Sequence, residues 1–190
     1  MLEDAIMVAR AEARGLKPPA DPSSPTIAVD APVMIPDDYV PDLSLRMALY
    51  RRAADLADKP AIEAFAAELI DRFGPLPAPT ANLLKIVEAR NAAREARIEK
   101  LEVGPRGALV TFGPDGFPDP SGLVAWMGRL KGQVQLRPDQ KLFLSREFAN
   151  AAARLSGAVS LARGLEQVAR GDFGVKFADP ATLPAGTGNG

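Results

Sequence analysis

The spacing of apolar residues along this chain of 190 residues first changes near residue 98. Before that point apolar residues recur every three to four positions, which is typical of amphipathic helices. After it, IEKLEV (98–103) and GALVTF (107–112) follow a shorter period that favours strands. The change predicts an α+β fold, in which a helical N-terminal half precedes a ββαββα half with a small, mostly antiparallel sheet.

Three helices are predicted in the first half, over residues 42–58, 60–73 and 79–100. Asp42 is suited to cap the first of them, and Pro60 suits the first turn of the second. The first helix has two apolar sides, so it either lies between layers or offers one side to a partner. One side carries Leu43, Met47, Tyr50, Ala54 and Ala57, and the other carries Leu45, Leu49 and Leu56.

The second half is predicted to begin with a hairpin that turns at residues 104–107, where the sequence is GPRG. Asp119 then caps a helix that carries Trp126 on its apolar side. Two short strands follow around a turn at residues 137–140. Ser145 is predicted to cap a final helix that runs to about residue 169.

The ends of the chain have a different composition. Residues 1–15 are predicted to form a short amphipathic helix, and residues 16–36 form a proline-rich linker whose second half lies extended along a surface. Seven of the 18 prolines fall between residues 17 and 41. Residues 172–190 read as a low-complexity, disordered tail because they offer little to bury.

The composition excludes several classes of function. The chain has 23 Lys and Arg against 24 Asp and Glu, and it has neither His nor Cys. Thiol nucleophiles, His-dependent triads and Cys/His zinc sites are therefore excluded, and we predict no catalytic residue, cofactor or metal. No apolar run approaches the roughly 20 residues of a membrane span, and no signal peptide is visible, so we expect a cytoplasmic protein.

Acidic residues on the second helix are the first candidate site. Glu68 and Asp71 are three residues apart and fall on the side opposite the apolar stripe, whereas Glu63 points elsewhere. An exposed carboxylate has nothing to raise its pKa, so acid–base catalysis is not expected. Two interpretations remain: a solvated helix face, which spacing alone favours, or a docking patch for a basic partner.

Arginines on the third helix are the second candidate site. Arg90, Arg94 and Arg97 continue the stripe that begins with Leu83 and Val87. A row of arginines suits nucleic-acid phosphates, but interleaved glutamates favour ion pairs on a solvated helix instead. No aromatic platform for bases accompanies the row.

Several segments resemble the C-terminal domain of the bacterial transcription-repair coupling factors (Mfd). The segments are IPDDYVPDLSLRMALYRRAA (35–54), ELIDRFGPLP (68–77), ANLLKIVEAR (81–90) and IEKLEV (98–103). The resemblance is dense from about residue 33 to 112 and looser to about residue 170. It implies that residues 1–15 end a preceding translocase module, that residues 16–36 are a connector, and that residues 37–171 are the C-terminal regulatory domain.

The resemblance also implies a non-catalytic role, because the ATPase motifs of the family lie upstream of this domain. In the family, this domain docks on a UvrB-like N-terminal module and thereby hides the UvrA-binding surface and restrains the motor until RNA polymerase is engaged. The positions that match the docking motif are Glu68, Asp71 and Arg72, and with the resemblance the docking interpretation is favoured. The alternative is a nucleic-acid-binding accessory module that uses Arg90, Arg94 and Arg97.

Overall fold

The computed structural model describes residues 24–130 and 132–172. The predicted helix at the N-terminus, the first half of the linker and residues 173–190 of the predicted tail lie outside the described residues. The described elements are, in chain order, β1 Thr26–Val29, α1 Leu43–Asp55, α2 Lys59–Phe73, α3 Ala78–Glu95, β2 Ile98–Gly104, β3 Gly107–Phe112, α4 Pro120–Arg129, β4 Val134–Leu136, β5 Leu142–Ser145 and α5 Ala151–Ala169. The α+β prediction is confirmed.

The first two helices begin at aspartates that cap them. Asp42 Oδ1 accepts a hydrogen bond from the Leu45 backbone N–H at 2.7 Å, as predicted. Asp58 does the same for α2 through the Ala61 N–H at 2.8 Å. An aspartate at this position satisfies one of the backbone donors that a helix leaves unpaired. These caps place the start of α2 one residue before Pro60.

Helix α1 buries one side and exposes part of the other. Leu49 and Ala53 are buried, whereas Leu43 and Ala54 are exposed. The side with Leu45, Leu49 and Leu56 therefore contributes to the core, and on the other side Tyr50 packs against the same cluster while Leu43 is exposed. The helical wheel showed two apolar sides, but only packing decides which of them meets another element.

Helix α3 ends at Glu95, five residues before the predicted end. Arg97 has a φ of +53° and turns the chain directly into β2. A face of alanines along α3 and at the residue that caps it is buried, and α3 packs closely against α5. Its members are Ala89, Ala92, Ala93 and Ala96.

The sheet in the described part of the chain has the strand order β1-β2-β3-β5-β4. All pairs are antiparallel except β1 with β2, which is parallel. Gly104 pairs with Gly107, so the predicted hairpin closes over the two residues between them. The extended segment of the linker thus supplies an edge strand, where Ile27 is buried.

The start of the last helix differs from the prediction. Ser145 is the final residue of β5 and pairs with Gly107. Asn150 caps α5 instead, through a 2.8 Å hydrogen bond from the Ala153 N–H. The intervening residues cannot join the helix because the Phe148 N–H donates to the Pro105 carbonyl at 2.8 Å, which holds them to the hairpin.

Two hydrophobic clusters form the core, and α3 contributes to both. The sheet cluster contains the buried faces of the strands, the alanine face of α3, and residues of α4 and α5, including Trp126. The helical cluster contains Ile35, Val40, Leu49, Ala53, Ile62, Phe65, Leu69, Leu84 and Val87. The docking candidates lie on the outside of the helical cluster.

Nowhere in residues 24–130 and 132–172 is a helix long and apolar enough to cross a membrane.

Candidate docking surface

Helix α2 positions the candidate residues through its buried side. Ile62, Phe65 and Leu69 face the helical cluster, which turns the opposite side of the helix toward solvent. Asp71 and Arg72 are exposed there, and Glu68 is partly exposed. The helix ends at Gly74, where a φ of +89° favours glycine and the N–H donates to the Ile70 carbonyl at 2.9 Å.

Glu68 is held by two arginines of the same domain. Arg52 Nη1 and Nη2 donate to Glu68 Oε1 and Oε2 at 2.8 and 2.6 Å, which is a bidentate pair. Arg72 Nη1 donates to Oε1 at 3.1 Å. We call Arg52, Glu68 and Arg72 the arginine–glutamate triad. Its geometry leaves little of the carboxylate free for another donor.

Both arginines of the triad also lie over aromatic rings. The guanidinium carbon of Arg52 is 5.1 Å from the centre of the Phe65 ring, and that of Arg72 is 5.0 Å from the centre of the Phe73 ring. Such contacts favour a flat guanidinium packed on the ring face. The triad therefore extends the helical cluster outward to the surface.

Sequence spacing placed Glu68 on the outward side of α2, where arginines of the same domain engage it. Its side chain is 33% exposed, and Arg52 is the partner that sequence analysis missed. Arg52 comes from α1, sixteen residues away, so a helical wheel of α2 cannot show it. No local pattern in α1 or α2 signals this contact, because it joins side chains of two different helices.

Hydrogen bonds from Arg52, and then from Arg72, lower the pKa of Glu68 to about 2. Because the folded state holds the ionised form, the stabilisation from this carboxylate is present above the ordinary glutamate pKa of about 4.3 and is lost as pH falls toward 2.

We expect Glu68→Gln to lower the urea midpoint at pH 6, and the gap between the midpoints of variant and wild type should close between about pH 5 and 2. A gap that stays constant over that range would contradict this assignment.

Asp71 is the free carboxylate of this surface. It lies one turn beyond Glu68 on α2 and is exposed. Among the residues that the structure describes, no hydrogen bond or ion pair engages it. The preceding residue, Ile70, is also exposed, at 48%. The prediction that Asp71 faces solvent is confirmed.

Tyr39 fixes the end of α2 that carries these residues. Its hydroxyl lies 3.1 Å from the Leu69 carbonyl and 2.9 Å from the Gly74 carbonyl, both of which accept from it. Burial raises the pKa of Tyr39, so the hydroxyl keeps its proton. The ring packs edge-on against Phe73 at 5.7 Å between centroids. These contacts anchor the last turn of α2, which carries Asp71 and Arg72.

The arginines of α3 do not form one exposed row. Arg90 is half-buried, and its Nη2 donates to the Ala54 carbonyl at 2.6 Å at the end of α1. Burial, followed by the nearby Arg94, lowers the pKa of Arg90. Arg94 is exposed, while Arg97 lies past the end of the helix. The geometry gives Arg90 a structural role and does not gather a basic stripe for nucleic acid.

No metal centre accompanies the surface: within the described ranges, acidic side chains never gather in a group of three that could hold a metal ion. Three aspartates, Asp37, Asp38 and Asp42, lie close together in sequence, but Asp42 caps α1. The chemistry that remains at this surface is ion pairing and packing.

Comparison with known proteins identifies relatives of this chain. Residues 29–123, half of the chain, match the model of the TRCF domain. The transcription-repair-coupling factor of Myxococcus xanthus is 33% identical over 142 residues, which is 75% of this chain and 11% of that protein. That of Rickettsia conorii is 34% identical over 150 residues, 79% of this chain and 13% of that protein. The Escherichia coli protein is 29% identical over 136 residues, 72% of this chain and 12% of that protein.

A solved structure has the same fold. The crystal structure of the C-terminal domain of a transcription-repair coupling factor superimposes with a TM-score of 0.67 at 16% identity, covering 78% of this chain and 95% of that one. This chain spans only about an eighth of the length of the relatives above. The matched residues include α1, α2 and α3, and with them the arginine–glutamate triad and Asp71. The chain belongs to the TRCF domain family.

Proposed function

We propose that this chain is the regulatory interaction domain of a DNA translocase that acts in transcription-coupled nucleotide excision repair. It docks on the UvrB-like N-terminal module of the same protein, and in doing so it restrains UvrA recruitment and motor activity. RNA polymerase is a partner of the whole protein and acts on this domain indirectly. The domain itself performs no catalysis, and the protein acts in the cytoplasm.

One observation carries the proposal: Asp71 projects from the end of α2 without a partner among the described residues, within the part of the chain that matches the TRCF domain. A carboxylate left free on an anchored helix end is available to a cationic surface. Exposed Ile70 beside it provides apolar contact that would exclude water from such a pair. Family relatives that match this part of the chain are whole transcription-repair-coupling factors, which supports an intramolecular partner.

A surface of this kind suits reversible docking. Single ion pairs that stay exposed contribute little, whereas pairs that lose water at an interface contribute more. Docking through a few such pairs holds a closed state that a competing interaction can open. RNA polymerase would then release the domain by binding the open state only modestly more tightly than the closed state.

The variant Asp71→Arg in the full-length protein tests the proposal. We expect it to raise the affinity for UvrA about tenfold and to raise the basal ATPase rate, because the reversed charge weakens the closed state. Binding is measured by titration with UvrA, and ATP hydrolysis is measured without RNA polymerase. Asp71 is preferable to Glu68 here because no contact within the described domain depends on it.

Glu63→Arg is the matched control. Glu63 is also exposed on α2, and its contact is a 3.6 Å ion pair with Lys59 one turn away. The control makes the same change in charge two turns away from Asp71, so it should leave UvrA affinity unchanged. Equal UvrA affinities for wild type and Asp71→Arg would contradict the proposed docking.

A further inference from the structure

The carboxylate of Glu68 is already occupied in the free domain. Arg52 takes one hydrogen-bond position on each oxygen, and Arg72 takes a second position on Oε1. A carboxylate has about four such positions, and an arginine from a partner needs two of them, side by side, for a bidentate pair. The partner cannot form that pair while Arg52 is in place.

From this geometry we infer that Arg52 is an internal competitor for the docking carboxylate: a cationic partner gains Glu68 only by displacing Arg52 from it. The inference rests on the proposed function, which it deepens by assigning different roles to the two acidic residues. Asp71 is open and makes the first contact, whereas Glu68 changes partner as the surfaces close.

The surroundings of Arg52 suit such an exchange. Its side chain is 51% exposed, so the pair with Glu68 is screened by solvent and is readily broken. The ring of Phe65 beneath the guanidinium provides a second contact that does not involve Glu68. Arg52 can therefore leave the carboxylate without moving into bulk solvent.

Arg72 is less suited to the same role. It is one turn from Glu68 on α2, and its bond is single and longer, at 3.1 Å. Because it occupies one position on one oxygen, it leaves room for a bidentate arginine on the other face of the carboxylate once Arg52 has gone. Arg72 orients Glu68, and Arg52 blocks it.

The experiment measures the Kd between the 190-residue chain and the separately produced UvrB-like N-terminal module by isothermal titration calorimetry. Arg52→Met removes the charge and keeps an apolar stem over Phe65, so thermal melting should show a folded domain. We expect this variant to bind about three- to tenfold more tightly, because the carboxylate is then free. Unchanged or weaker binding would overturn the competition.

Arg51→Met is the matched control for charge. Arg51 is the exposed neighbour of Arg52 on α1, and no contact with Glu68 or any other carboxylate is recorded for it in the described chain. Competition predicts that this variant binds as wild type does. Equal tightening by both variants would assign the effect to net charge and would overturn the inference.

A double-mutant cycle with Glu68→Gln isolates the exchange. In the Glu68→Gln background, Arg52→Met should have no effect on Kd, and an effect that persists there counts against competition at this carboxylate. The variant Asp71→Arg distinguishes a failure of the inference from a failure of the proposed function. If it weakens binding while Arg52→Met changes nothing, the docking surface stands and the inference fails. If neither Asp71→Arg nor Glu68→Gln weakens binding, the proposed function itself fails.

Discussion

Leu69→Ala is expected to lower the free energy of unfolding by about 2–5 kcal/mol. Leu69 is fully buried in the helical cluster, directly beneath the docking surface. Removing its side chain costs the burial of three carbons and leaves a cavity that the surrounding helices fill incompletely. Urea unfolding is followed at two wavelengths, since Trp126 is the only tryptophan and Tyr39 and Tyr50 are the only tyrosines.

These chromophores report on different parts of the core. Trp126 lies in the sheet cluster, and both tyrosines pack against the helical cluster. Because α3 contributes to both clusters, we expect the two signals to change at the same urea concentration. We also expect Leu69→Ala to lower the affinity of docking. The last turn of α2 loses its anchor in this variant, although no charge has changed.

Ile70→Ala is the control for this variant. Ile70 follows Leu69 on the same helix but is 48% exposed, so its removal leaves no cavity. Its effect on the free energy of unfolding should stay within about 0.5–1 kcal/mol. A loss below about 1 kcal/mol in Leu69→Ala itself would contradict the burial that the structure assigns to this residue.

Gly107→Ala is expected to cost about 2 kcal/mol or more. Gly107 begins β3 and pairs with Ser145 of β5, and a Cβ at this position would overlap the backbone carbonyl oxygen of Leu144. The ring of Phe143 would also lie within 3.0 Å of it. A side chain can rotate away, but a strand carbonyl can move only if the pairing of β3 with β5 shifts.

Gly104→Ala provides the comparison for Gly107. Gly104 pairs with Gly107 at the same end of the hairpin, yet a Cβ on Gly104 would meet only the Gly107 carbonyl at 4.0 Å. We expect thermal melting to show a large loss for Gly107→Ala and a change within about 1 kcal/mol for Gly104→Ala. Similar melting temperatures for the two variants would argue against the close approach of β3 and β5.

Local signals in the sequence were sufficient for most elements. The cap at Asp42, the end of α2 at Gly74 and the turn at residues 137–140 depend on a few neighbouring residues, and the structure confirms each of them. Ser145 shows the limit of this reasoning. A serine before an apolar periodic segment signals a helix start, but hydrogen bonds from the hairpin hold the following residues outside the helix.

The candidate site was predicted less completely than the fold. The helical wheel placed Asp71 correctly because exposure of one helix face follows from the apolar stripe on the other. It could not show that Arg52 reaches Glu68, since the two residues lie on different helices. The contact of Arg90 could not be predicted for the same reason, since its carbonyl partner Ala54 lies in the last turn of α1, 36 residues earlier.

Sequence periodicity and local turn signals by themselves determined which segments form helices and hairpins, the α+β class and the outward position of Asp71. These features depend on residues within a few turns of one another, so they can be predicted from the local sequence. Only the tertiary structure decided the pairing of β1 with β2, the partial burial of Arg90 and the occupancy of Glu68 by Arg52. Those contacts join distant segments, and the packing of the two clusters around α3 brings them within reach of each other.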